Sequence, residues 1–251
     1  MPGSLASRLA SVDRLLADPP VVHPMDSSAN PQMGVWSTEA AAYRFIAERC
    51  PPGTRTIETG SGLSTVLFAA LETDHICCTP GPEERERVLE YCKAHELPTE
   101  GLRFELGSSH ESLPRIQAAG TEVDLALIDG SHGFPLPVVD WFYSGAMLRT
   151  GGVVLVDDVN LPAVRTLLDF VDRDPRWRRL SDSPKWAAFE RTGRGPLAED
   201  WTAQPFYVHR PAGVRGLAQR VRGRIRRELA GRARRSPTCP SPPLSGRNRT
   251  P

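Results

Sequence analysis

The stretch Thr56-Ile57-Glu58-Thr59-Gly60-Ser61-Gly62-Leu63-Ser64-Thr65 leaves this chain few folds to choose from. Arg55 to Ile57 begins an apolar strand that stops at Glu58. A Gly-x-Gly turn follows, and Ser64-Thr65 open an apolar run, Val66 to Leu71, long enough to start a helix. Strand, glycine turn and helix in that order aim backbone N–H groups and the positive end of a helix at one ligand. Two glycines permit φ > 0 and let the ligand approach the main chain without meeting a Cβ. A dinucleotide site reads G-x-G-x-x-G, its third glycine bringing helix and strand close together. Here the third position is Thr65, and the carboxylate of Glu58 precedes the turn. A fixed negative charge there disfavours a pyrophosphate and suits a ligand bearing an ammonium or sulfonium group.

The same alternation runs through the rest of the chain. His75 to Thr79 reads as a strand, stopped by Pro80-Gly81-Pro82, and Glu83 to His95 as a helix with one apolar face. Leu102 to Leu106 alternates as a strand and ends at Gly107-Ser108-Ser109-His110, and Ser112 to Ala119 predicts a short helix. Val123 to Ile128 is nearly all apolar, as a strand buried on both faces would be, and ends in Asp129-Gly130-Ser131-His132. A helix over Pro137 to Leu148 leads through Thr150-Gly151-Gly152 into Val153 to Val156, which stops at Asp157-Asp158. Upstream, Trp36-Ser37-Thr38-Glu39 predicts a helix start with Ser37 or Thr38 as cap, feeding Ala40 to Arg49.

Strands alternating with helices argue for an α/β fold, a parallel sheet covered on both faces. Ligands of such sheets gather outside the carboxyl ends of the strands. Those ends carry Glu58, Thr79, Ser108-Ser109, Asp129 to His132 and Asp157-Asp158, so the polar groups fall where a cleft should be. S-adenosylmethionine carries both an ammonium and a sulfonium. An acid roughly 20 residues past the glycines often binds ribose hydroxyls; this sequence offers Thr79 and, farther on, Glu83.

With 251 residues, 39% of them hydrophobic and 24% charged, one main globular domain is expected. No apolar run approaches the ~18 residues of a membrane span. Leu5, Leu9, Val12, Leu15 and Leu16 fall at helical spacing among charges, an amphipathic helix that lacks the continuous apolar core of a signal peptide. Five cysteines, odd in number and without a C-x-x-C pair, point to reduced thiols in a cytoplasmic protein and away from a zinc site. The charge is lopsided. From Arg210 onward there are twelve arginines against one acid, Glu228, whereas residues 1–209 hold nineteen basic and twenty-nine acidic side chains. Val214, Leu217, Val221, Ile225 and Leu229 share a helical face within that basic region. The expected divisions are an N-terminal helix and loop over 1–33 (a candidate lid, with Met33 and Trp36 able to close over the ligand), a main domain over 34–209, a basic amphipathic helix over 210–235, and a disordered tail over 236–251. The basic helix suits an anionic partner, a membrane surface or nucleic acid.

Taken together, Glu58 to Thr65, Ile128-Asp129-Gly130-Ser131-His132 and Gly151-Gly152-Val153-Val154-Leu155-Val156-Asp157-Asp158 resemble the class I S-adenosylmethionine-dependent methyltransferases. The resemblance covers roughly Gly34 to Arg191. It implies a Rossmann-like three-layer fold, a mostly parallel seven-stranded sheet closed by an antiparallel hairpin, with Trp177 to Leu180 and Trp186 to Glu190 supplying the hairpin strands. By position, Gly60, Ser61 and Gly62 would pass under the methionine part of the cofactor, with Ser64 and Thr65 completing the motif. Glu58 would hold the amino end, Thr79 would sit near the ribose, and Ser108 and Ser109 near the adenine.

Two chemistries remain open. His132 could act as the base, since imidazole titrates near neutrality, with Asp129 beside it. Alternatively Asp129, Asp157 and Asp158, with Asn160 as a neutral ligand, could hold Mg²⁺, which lowers an acceptor's pKa. The expected activity is methylation, at oxygen rather than nitrogen, of a small-molecule or saccharide acceptor. The alternatives are an RNA methyltransferase guided by the basic tail and a non-catalytic cofactor-binding module tethered by it.

Overall fold

A computed structural model of the chain describes residues 3–23 and 37–193, together with 202 and 204. The expected basic helix over 210–235, the tail from 236, and Met33 and Trp36 lie outside the described residues.

A seven-stranded sheet organises the rest. Its strands are β1 (Arg55–Thr59), β2 (Asp74–Thr79), β3 (Leu102–Leu106), β4 (Val123–Ile128), β5 (Leu148–Val156), β6 (Trp177–Asp182) and β7 (Ala187–Arg191). The order across the sheet is β3-β2-β1-β4-β5-β7-β6. β1 to β5 pair in parallel, while β7 runs antiparallel to both β5 and β6. This is the Rossmann-like arrangement with a terminal hairpin that the sequence predicts. β5 begins five residues before the expected Val153: Gly151 takes φ +82°, and a register shift against β4 carries the pairing through the glycines.

Helices α1 (Leu5–Ala17), α2 (Ala40–Arg49), α3 (Leu63–Ala70) and α4 (Pro82–Ala94) cover one face, and α5 (Ser109–Ala118), α6 (Leu136–Met147) and α7 (Pro162–Val171) the other. The faces divide by strand parity: Leu125 and Leu127 of β4 join the first core, Ala126 and Ile128 the second. α1 belongs to the packed layer. Its Val12 and Leu15 are buried with α2 and α3, and the Arg8 guanidinium donates to the Ala47 carbonyl at 2.7 Å. α2 begins where expected, but neither Ser37 nor Thr38 caps it. The N-cap is Glu39, with no side-chain bond, and the Thr38 hydroxyl donates instead to Asp157, just past the end of β5. No described helix is long and apolar enough to cross a membrane.

Candidate active site

The loops that follow all five parallel strands converge on one cavity of about 640 Å³. It opens at the carboxyl edge of the sheet, where the strand order reverses between β1 and β4, the usual ligand position in an open α/β sheet.

The turn after β1 forms its floor. Gly60 sits at φ +88°, and a Cβ built there would stand 2.3 Å from the carbonyl oxygen of Asp129. The glycine turn and the loop after β4 therefore meet backbone to backbone, and a side chain at position 60 would force them apart. Four contacts hold the turn. Gly60 N–H donates to the Cys78 carbonyl at 2.9 Å, and the Cys77 thiol to the Gly60 carbonyl at 3.3 Å. Gly62 N–H donates to Thr65 Oγ1 at 3.0 Å, and Ser61 Oγ lies 3.0 Å from Thr79 Oγ1.

Glu58 occupies a different place from the expected one. Strand parity puts it on the α3 side of β1, buried beneath the turn and away from the cavity wall. Its carboxylate accepts from Ser64 Oγ at 2.7 Å and from the Thr65 hydroxyl, and lies 3.0 Å from His75 Nε2. Thr65 and Thr79 also stand behind the wall, whereas Gly60, Ser61, Gly62, Ser64, Ser108, Ser109, Asp129, His132, Asp157 and Asp158 line it.

The acid past β2 is Glu84. Glu83 is exposed; α4 starts at Pro82, one residue earlier than predicted, and it is Glu84 whose carboxylate reaches the cavity. It accepts from the Thr79 hydroxyl and from Ser61 Oγ at 3.2 Å, and His23 Nδ1 lies 3.4 Å from its other oxygen. The hydrogen bond with His23, aided by those from Thr79 and Ser61, holds the Glu84 carboxyl below its ordinary range against the pull of burial.

Across the cavity the acids after β4 and β5 gather. His132 Nε2 is 3.0 Å from Asp158 Oδ2 and 4.0 Å from Asp129 Oδ1. Asp158 is one of three non-glycine residues at positive φ (53°) among those described, a conformation Asp tolerates better than most residues. Burial, then the charges of Asp157, Glu58 and Asp158, push the Asp129 carboxyl well above its ordinary range. Burial also raises Asp157, opposed by the Thr38 hydroxyl at 2.6 Å and by Lys185. Lys185 Nζ stands 4.0 Å from a carboxylate oxygen of both Asp157 and Asp158 and donates to the Ser37 carbonyl at 2.8 Å.

The residues expected to hold a metal are brought together only in part. Asp129, His132 and Asp158 bring ligand atoms within 4.8 Å of one another; Asp157 is turned to Thr38, and Asn160 is exposed and away from the cavity wall.

Known proteins resemble the chain in sequence profile and in fold. The profile of a family described as a methyltransferase domain matches residues 57–159, from the middle of β1 to just past β5. The chain carries a methyltransferase domain over this segment. No curated protein matches the sequence significantly. Among solved structures, the methyltransferase PaMTH1 of Podospora anserina, bound to S-adenosylhomocysteine, is 15% identical with a TM-score of 0.52, the match covering 77% of this chain and 89% of that one. TomG of Streptomyces achromogenes, an O-methyltransferase of tomaymycin synthesis solved with S-adenosylmethionine, is 16% identical with a TM-score of 0.51, covering 76% and 90%. TrmN of Thermus thermophilus is 18% identical over 61% of this chain with a TM-score of 0.46, and the chain spans 48% of its length.

The residues of the methyltransferase domain fit its cofactor. Glu84 with Ser61 offers acceptors for hydroxyls on one side of the cavity, while Asp129, Asp157 and Asp158 set three carboxyl groups beside the Lys185 ammonium on the other. A cationic amino acid joined to a nucleoside matches that division. Of the wall residues, His23, Tyr43, Glu84 and Lys185 carry no motif. Glu84 is legible one place along from Glu83, but His23 and Lys185 arrive from elements distant in sequence, with no local pattern to mark them.

Proposed function

We propose that the domain methylates a hydroxyl of a small-molecule or saccharide acceptor, with His132 as general base. The observation that carries this reading is the His132–Asp158 pair, 3.0 Å apart, on the wall of the cavity that the glycine turn floors. S-adenosylmethionine, when bound, supplies a methyl group on a sulfonium, already a good electrophile. What remains for the protein is to position the acceptor and remove its proton.

The Gly60–Gly62 turn and Ser64 would hold the amino-acid part of the cofactor, the acids Asp129 and Asp157 would offset its positive groups, Glu84 would take the ribose hydroxyls, and Ser108 and Ser109 would border the adenine. Asp158, 3.0 Å from Nε2 of His132, favours a proton on that nitrogen and so leaves Nδ1 with the lone pair. Nδ1 then takes the acceptor proton, and Asp158 stabilises the imidazolium that results. A carboxylate-oriented imidazole is a device for a hydroxyl, whose proton must leave, and this favours oxygen over nitrogen. A cavity of about 640 Å³ has small-molecule dimensions.

Incubating the pure chain with isotope-labelled S-adenosylmethionine and fractionated metabolite and saccharide pools tests the proposal. Label should pass to a hydroxyl-bearing small molecule, and calorimetry should register binding of S-adenosylhomocysteine. Cofactor binding without transfer to any pool would sink the catalytic reading, and label in RNA would sink the small-molecule one.

A further inference from the structure

Beneath the cavity floor lies a cluster that this mechanism does not use. His75 on β2 has no exposed surface and Glu58 on β1 almost none. The imidazole stacks on the Phe68 ring, centroids 4.2 Å and planes 18° apart. Its Nδ1 is 2.8 Å from Thr56 Oγ1, and its Nε2 is 3.0 Å from Glu58 Oε1.

Accounting for the protons orders this network. Thr73 Oγ1 donates to the Phe68 carbonyl at 3.0 Å, so it can only accept from Thr56 Oγ1, 3.3 Å away. Thr56 has one proton, and its shorter contact is with His75 Nδ1. The Glu58 carboxylate can only accept, so the proton between it and the ring sits on Nε2, 3.0 Å away. The Glu58 carboxylate then accepts from three side chains, His75, Ser64 at 2.7 Å and Thr65. The Thr65 oxygen in turn accepts the Gly62 N–H at 3.0 Å. α3 has no acidic residue in its first turn, so Glu58 also supplies the negative charge that the positive end of a helix favours.

Glu58, His75 and Cys77 place ligand-type atoms within 4.8 Å of one another. The thiol, however, donates to the Gly60 carbonyl, and burial pushes it well above its ordinary range. A metal needs the thiolate, and every other atom of the group already has a hydrogen-bond partner. The cluster works as a relay.

We infer that His75 is a positioning residue for the cofactor turn: it orients Glu58, and Glu58, through Thr65, fixes the Gly62 N–H and the start of α3. The inference rests on the reading that this turn carries the cofactor. It assigns the motif's acid a task beneath the ligand, and gives that acid a partner from the neighbouring strand.

The test uses the full chain, first without ligand. His75→Phe keeps a ring against Phe68 and deletes the donor to Glu58; His75→Gln restores an N–H near the same place. Amide exchange at Gly62, followed by NMR, should be at least about tenfold faster in the phenylalanine variant, and within about threefold of the parent in the glutamine variant. Affinity for S-adenosylhomocysteine, by calorimetry, should fall and recover in parallel. Unchanged Gly62 exchange in a folded phenylalanine variant overturns the inference, as does equal loss in both variants. Should His75→Phe fail to fold, Thr56→Val decides. It leaves the ring in place and removes the group that sets its tautomer, so Gly62 exchange should rise about threefold or more, and no change overturns the inference. If exchange responds as stated but the parent chain binds no S-adenosylhomocysteine, the cofactor reading fails and the relay stands.

Discussion

Thr38 Oγ1 lies 2.6 Å from Asp157 Oδ1, a side-chain bond between residues 119 positions apart and both buried. It fastens the chain entering α2 to the end of β5, beside two similar ties: Lys185 Nζ to the Ser37 carbonyl, and Ser183 Oγ to Glu39 at 2.5 Å. It also takes up a carboxylate oxygen that a metal or ligand would otherwise use. Thr38→Val keeps the shape and deletes the donor, leaving a buried carboxylate short of one partner. The expected cost is about 1–3 kcal/mol, a fall in Tm of several degrees. A Tm within a degree of the parent would show that the contact contributes nothing.

Asp129 gives a prediction of the opposite sign. Its folded-state pKa is raised by burial and by Asp157, Glu58 and Asp158. A carboxyl whose folded pKa exceeds its unfolded value favours the fold when protonated and opposes it once pH passes the unfolded value, near 3.9. Asp129→Asn should therefore stabilise the ligand-free chain at pH 7.5, by on the order of 1 kcal/mol or about 2–4 °C in Tm, and the gain should disappear below about pH 4. The same change should weaken S-adenosylmethionine binding, since the acid's repulsion is what a cationic ligand relieves. Equal melting temperatures at pH 7.5 would contradict the electrostatic account of this wall.

Asp124 sits at the opposite end of β4, clear of the cavity. Burial pulls its carboxyl up, but the Arg55 and Arg149 guanidiniums prevail and bring it to about 2. Here the folded pKa is depressed, so the stabilisation is present above the unfolded value and is lost as pH falls through the folded one. The pairs are partly exposed, which limits their worth to about 1 kcal/mol or less. Asp124→Asn should lower Tm slightly at pH 7, and the two chains should converge between about pH 4 and pH 2. A deficit that persists at pH 2 would assign the effect to packing.

How much of this was legible in the sequence follows from the range over which each feature is determined. The glycine turn, the strand ends and the sheet type are local: Gly60 and Gly62, the nearly all-apolar Val123 to Ile128 and the stop at Asp157-Asp158 each declare themselves within a few residues. The orientation of Glu58 is set by which face of β1 meets α3, a parity that becomes meaningful only once the helix is docked. Thr38 reads locally as a helix cap, and it is overruled by a partner 119 residues away. His23 and Lys185 belong to the site because the fold carries an N-terminal segment and a terminal hairpin to the same edge. Glu84 was obscured by a helix that starts one residue early, which is the ordinary uncertainty of an element boundary.

The His132–Asp158 pair makes the sharpest demand on the mechanism. A positioned general base is worth ~10²–10⁴-fold, so His132→Ala should lower kcat by that factor. Affinity for S-adenosylhomocysteine should stay within about threefold, because the imidazole acts on the acceptor's proton. Asp158→Asn keeps the size of the side chain but can donate to Nε2, favouring the tautomer with its lone pair on the wrong nitrogen. It should cost about tenfold to a hundredfold in kcat, a share of the general-base effect. Because both residues serve one proton transfer, their effects should not add: the double variant should be no slower than His132→Ala alone, the non-additivity expected of groups acting as a unit. Full additivity would mean that Asp158 acts on the acceptor or cofactor independently of the imidazole. A loss of only a few-fold in His132→Ala would remove His132 from the proton-transfer step altogether.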